Sequence, residues 1–126
     1  MSVYFIAAVL LVTGMANALP LVGVISGAKL QSLYGMAFDD PNLLILLRHR
    51  AVLFGLLGGF IMASAFIPSW RTAAMIAAMV SMLSFVALAY AQGEFNPAIR
   101  KVVMIDIALS VALLPTMVLH WMGKSA

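Results

Sequence analysis

The chain has 126 residues, 65% of them hydrophobic and 9% charged, with a formal net charge of +3. A soluble domain carries roughly 25% charged residues, so this chain lacks the polar groups to cover a water-facing surface. It reads as an integral membrane protein, long enough for one compact bundle over residues 1–126. Cysteine is absent, which excludes disulfides, thiolate metal sites and cysteine catalysis. The seven Lys and Arg residues are scattered through apolar sequence. They read as topology signals and anionic-lipid contacts, and a nucleic-acid partner is not expected.

Span 1 is expected over Val3–Ile25. Its Ala16-Asn17-Ala18 imitates a small-x-small cleavage site, but no Lys or Arg precedes the apolar run and the run continues past Pro20. It therefore reads as an uncleaved first span. The long loop Gly27–Asp40 follows, and its Lys29, Gln31, Tyr34 and Phe38 suit a short interfacial helix. Span 2 is expected over Pro41–Ile67, opened by Asp39-Asp40-Pro41, an acidic N-cap before a proline at the first helical position. Ile67-Pro68-Ser69 breaks it from span 3, expected over Trp70–Ala91, and the short connection makes the two antiparallel neighbours. Asn96-Pro97 repeats the start device for span 4, expected over Pro97–Met122. Each span approaches or exceeds the ~20 residues that cross a bilayer. Within span 4, Pro115-Thr116 predicts a kink with local backbone repair.

Four spans place both termini on one side. That side holds Arg71 and Lys124, whereas the other holds Lys29, Arg100 and Lys101. The positive-inside rule then puts the two loops of the second side in the cytoplasm and both termini in the periplasm. Tyr4, Tyr34, Trp70, Tyr90 and Trp121 fall near span ends, as an aromatic belt requires.

The polar residues inside the spans fall into one layer. At a rise of about 1.5 Å per residue, Asn17, Arg48, His49, Arg50, Ser84 and Asp106 all lie at similar depth from the cytoplasmic helix ends. Span 2 carries Ala51, Gly55, Gly58, Gly59 and Ala63, including a GxxxG that permits close helix approach. Arg48 precedes Ala51 by three residues and Gly55 by seven, which predicts that it shares the packing face and pairs with Asp106. Arg50, about 200° away around the helix, is expected to point elsewhere. On span 3, Ala73, Ala77, Ser81, Ser84 and Ala87 form a small-residue stripe. The layer has a functional reading, as a substrate, quinone or proton site, and a structural one, as an ion pair plus a snorkelling arginine. His120 lies near the opposite end from His49, so the two cannot share a metal or a haem; His49 reads as a hydrogen-bonded interface histidine. The ten methionines have no repeated spacing and read as packing. No P-loop, dinucleotide fingerprint, HExxH or serine elbow is present.

The run Asp40-Pro41-Asn42-Leu43-Leu44-Ile45-Leu46-Leu47-Arg48-His49-Arg50-Ala51-Val52-Leu53-Phe54-Gly55, with Leu33-Tyr34-Gly35 before it and Asn96-Pro97-Ala98-Ile99-Arg100 and Asp106 after it, resembles small four-span bacterial inner-membrane proteins of uncharacterised function. The resemblance covers nearly the whole chain. Members often carry the name phosphopantetheine adenylyltransferase, but that enzyme is a soluble α/β nucleotidyltransferase with an HxGH phosphate motif, and neither feature is found here. A looser resemblance links the chain to DoxX-like four-helix membrane proteins, some associated with quinone or thiol redox systems.

The sequence thus predicts an all-α, four-helix transmembrane bundle with a short interfacial helix between spans 1 and 2. The expected function is non-enzymatic, as an accessory or assembly subunit or a lipid- or ligand-binding module, with membrane lipids, a larger membrane complex or further copies of the chain as partners. The alternatives are a quinone- or redox-associated membrane protein and a small oligomeric transporter. No catalytic residues, cofactor or metal are expected.

Overall fold

A computed structural model of the chain describes residues 2–19 and 40–125. The expected interfacial helix and residues 20–25 of span 1 lie outside the described residues. Four helices are described: α1 (Ser2–Ala18), α2 (Pro41–Ser64), α3 (Arg71–Gln92) and α4 (Pro97–Ser125). The last three are long and apolar enough to cross a membrane, whereas the described part of α1 is a shorter apolar helix. The protein is a multi-pass, all-α membrane protein.

The helix starts follow from the residues that precede them. Asp40 accepts from the Asn42 amide at 2.9 Å through its carboxylate, and Pro41 occupies the first turn, where its missing N–H costs nothing. Asn96 accepts from the Ile99 amide at 2.8 Å through its side chain, and its carbonyl accepts from the Arg100 amide. Helix α2 ends three residues earlier than Ile67. Its chain tightens at Ala65 and Phe66 into a turn, and Pro68–Trp70 forms a single 3-10 turn that leads into α3. Proline cannot continue the α2 ladder. Helix α4 runs unbroken through Pro115, and the Thr116 hydroxyl donates to the Ala112 carbonyl at 2.8 Å.

Each helix packs on two neighbours, in the ring α1–α2–α3–α4. The tightest approach is between α1 and α2. A Cβ on Gly14 would come within 2.7 Å of the Gly58 carbonyl oxygen, and a Cβ on Gly58 within 2.7 Å of the Ala18 amide nitrogen. The backbones touch, as small residues at membrane helix contacts allow. Gly14 meets both Gly58 and Met62, while Gly58 also meets Ala18, so the two helices run antiparallel. Gly59, in contrast, faces open space.

The core is confined to one half of the bundle. Ile6, Leu10, Ile61, Ala65, Ala74, Met75, Ala78, Met82 and Leu113 form one buried cluster toward the end that carries the termini. Toward the other end, α2 buries no residue before Ala51, α3 none after Met82, and α4 only Val103 before Ser110. Among the described residues the helices are therefore densely packed at one end, the closed half, and loosely packed at the other, the open half. Its outer face is mostly apolar, with Leu46, Leu56, Val80, Leu88 and Val111 all exposed, as contact with lipid tails requires. Tyr4, Trp70, Tyr90 and Trp121 are exposed near helix ends, in keeping with an aromatic belt.

Substituting Gly58 with Val should destabilise the fold by about 1–3 kcal/mol or more through overpacking. Gly59→Ala should be neutral or stabilising by up to about 1 kcal/mol, because helix propensity rises and the added methyl group meets nothing within 4 Å. Thermal unfolding of the two variants in detergent checks the difference.

Candidate intramembrane polar site

The open half holds the expected polar layer, but with a different member facing inward. Helix α2 presents Arg50, Phe54, Leu57, Ile61 and Ser64 to the interior, spaced four and three residues apart, and their burial rises toward Ser64. Ala51, Gly58 and Ala65 lie beside this stripe and are buried. Arg48 falls on the opposite side with Val52 and Gly59, and is exposed. The expectation that Arg48 faces inward with the glycines is therefore corrected: the inward arginine is Arg50. The reason is rotational phase. The glycine that touches α1 is Gly58, about 80° around the helix from Arg48, whereas alignment of Arg48 with the packing face used Ala51 and Gly55 as its markers.

Arg50 is half-buried, and its guanidinium carbon sits 4.7 Å from the Phe54 ring centroid and 5.7 Å from that of Phe85 on α3. Both distances are within cation–π range. Arg50 is also the cation whose charge acts on the half-buried Asp106 of α4. Counted from Pro41 and Pro97, both residues lie nine positions into their helices, about 13.5 Å along each axis. Arg50 thus takes the place toward Asp106 that was expected for Arg48.

The other layer residues divide between inside and outside. Asn17 is buried, and its Nδ2 donates to the Thr13 carbonyl at 2.8 Å. His49 and Ser84 are exposed, and the Ser84 hydroxyl turns back to the Ser81 carbonyl at 3.0 Å. Asn17, Arg50 and Asp106 therefore face the interior of the open half, and Arg48, His49 and Ser84 do not.

A second polar cluster occupies the closed end. Arg71 is only 6% exposed. Its Nε donates to the Ser64 carbonyl at 3.1 Å and its Nη2 to the Ala65 carbonyl at 2.7 Å. These are carbonyls at the C-terminus of α2, where helix backbones leave acceptors without partners and the dipole favours a cation. Next to it, Thr72 Oγ1 lies 3.1 Å from Nε2 of His120, which is also buried. His120 is thus a hydrogen-bonded interface histidine, the role expected of His49, which is exposed. Sequence reasoning missed the role of Arg71, which was read only as a topology charge. A signal was present: α2 ends without a C-terminal glycine, so its last carbonyls need a donor. Arg71 is the first basic side chain after them.

Two further hydroxyls are buried in the middle of the bundle. Thr13 Oγ1 and Ser110 Oγ form no hydrogen bond among the described residues. Among the same residues no group of His, Asp or Glu side chains is arranged to hold a metal. No family model, curated protein or solved structure matches the chain.

The arrangement makes two predictions. A double-mutant cycle on Arg50→Ala and Asp106→Ala should show the double variant less destabilised than the sum of the singles, because each single leaves a charge without its counterpart. The same cycle with Arg48→Ala should be additive; thermal unfolding in detergent reads both. Arg71→Met should cost about 1.5–3 kcal/mol for each charged hydrogen bond removed, with Arg71→Lys recovering part of the stability.

Proposed function

We propose that the chain is a non-enzymatic membrane protein that holds the polar headgroup of a membrane amphiphile in its open half, as a ligand-binding or accessory subunit. One observation carries this reading: the Arg50 guanidinium lies against two phenyl rings, near a carboxylate, where the helices bury little of each other. A guanidinium offers planar donors to phosphate or carbonyl oxygens. Phenyl faces offer apolar contact to the atoms beside those oxygens. An intramembrane ionisable residue is a functional candidate for the energetic reason that hydrocarbon penalises it by about 2.5–3.5 kcal/mol or more. No serine elbow, phosphate loop or metal motif accompanies the layer, which favours binding over catalysis.

The phenyl pair also supports a second reading, in which the headgroup is a quinone ring held between Phe54 and Phe85 with Arg50 donating to its carbonyl. The likeness to small four-span bacterial inner-membrane proteins supports an inner-membrane location. The charge count supports cytoplasmic loops at 27–40 and 92–96, with both termini periplasmic.

Native mass spectrometry of the protein extracted from its own membrane should show a co-purifying small molecule, and Arg50→Ala should lose it while Arg48→Ala keeps it. A phospholipid mass favours the first reading and a quinone mass the second. Equal retention by the Arg50 variant, or no adduct on the parent protein, would sink both.

A further inference from the structure

The polar residues of α1 and α4 repeat at matching intervals along the two helices. Leu10 and Leu113 belong to one core cluster, with Ile6 one turn back on α1 and Met117 packed against the cluster one turn on in α4. From the Leu10–Leu113 level, three residues toward the open end lead to Thr13 on α1 and to Ser110 on α4, about 4.5 Å along each axis. Seven residues lead to Asn17 and to Asp106, about 10.5 Å along. The two helices pack on each other, and the polar residues on each follow its core leucine at matching intervals. A seam of polar side chains runs from the open half to the middle of the bundle, and Leu10, Ile61, Met75 and Leu113, all 0% exposed, close it there.

The hydroxyls at the inner end of the seam behave unlike the others. Ser64, Ser84 and Thr116 each donate to a carbonyl of their own helix. Thr13 and Ser110 do not, although they are 0% and 5% exposed and their oxygens have no partner among the described residues. Each hydroxyl can donate one hydrogen bond and accept two. In a membrane interior, lipid tails satisfy none of these. We propose that Thr13 and Ser110 bind internal water between α1 and α4, continuous with the Asn17–Asp106 layer and ending at the Leu10–Leu113 plug. A buried water needs two to four polar partners, roughly. The two hydroxyls supply the first of them, and the Asn17 amide and Asp106 carboxylate the route from the open end. The protein then has solvent access to mid-bundle from one end only. The amphiphile proposed at Arg50 and the water proposed here occupy different levels of the bundle, and either can hold without the other.

Three measurements on the full chain test this. In the first, Thr13→Val and Ser110→Ala, which keep shape and remove the hydroxyls, are combined in a thermal-unfolding cycle. Each single should lower Tm by about 3–5 °C, and the double variant should fall little further than either single. Additive changes, or a rise in Tm for a single variant, mean dry hydroxyls and overturn the proposal. In the second, water-edited solid-state NMR in lipid bilayers follows magnetisation from water into the side chains. Thr13 and Ser110 should build up with Asn17, ahead of Leu10 and Leu113. If they lag with the leucines, coupling in the cycle reflects a direct hydroxyl pair and the water site is refuted. Unfolding in sodium chloride against choline chloride should give equal Tm values. A sodium-dependent rise that disappears in Thr13→Val would identify a bound cation and refute the assignment to water.

Discussion

The contact between Gly14 and Gly58 fixes the rotational phase of α2, and with it the chemistry of the open half. Backbone atoms of two helices meet there at a distance that no side chain tolerates. Once Gly58 faces α1, every other α2 side chain has its direction set by a repeat of about 3.6 residues per turn. Ile61 and Ser64 turn into the core, Arg50 and Phe54 turn toward α3, and Arg48 turns outward. A rotation of α2 that brought Gly59 into the contact would carry Arg50 away from Phe85. The close approach thus does more than add dispersion energy: it decides which of two arginines two residues apart faces Phe85 and the interior.

The rest of the bundle is organised by the need to satisfy polar groups where water is scarce. Asp40 and Asn96 accept the first free amides of their helices. Ser64, Ser84 and Thr116 fold their hydroxyls onto their own backbone. Arg71 supplies donors to the end of α2 from the start of α3, the position where a cation is least favoured by its own helix dipole. That unfavourable placement is offset because the neighbouring helix presents its negative end to the same guanidinium. A short connection makes this geometry available, since the arginine needs to reach back only across one tight turn. The brevity of the Ile67-Pro68-Ser69 link and the burial of Arg71 are therefore one feature.

Much of this was legible in the sequence, and the remainder was not for identifiable reasons. Length and hydropathy gave the long helices, since backbone satisfaction in lipid leaves few alternatives to helix. Asx-Pro pairs located the starts of α2 and α4, because capping is a local interaction between residues two or three apart. Depth was legible as well: a fixed rise per residue put Arg50 and Asp106 at one level before any packing was known. Phase was not. Three glycines within five residues of α2 offer three possible contact faces, and only the partner helix selects Gly58. Arg71 was missed for a related reason: a charge at a span boundary satisfies the topology rule whether it points outward or inward.

The two inward arginines are held by different kinds of partner at the two ends of the bundle. Arg71 is held by backbone carbonyls of a helix terminus, which cannot change their charge or move without unwinding α2. Its partners are fixed and its end of the bundle is densely packed. Arg50 is held by two phenyl faces and the charge of a carboxylate on another helix. Aromatic side chains reorient about their side-chain torsions, and cation–π contacts contribute only about 0.5–2 kcal/mol, so an incoming oxygen ligand competes with them on comparable terms. The same kind of cation is therefore a structural clamp at one end and lies against reorientable rings at the other, and the difference lies in the partners around each arginine.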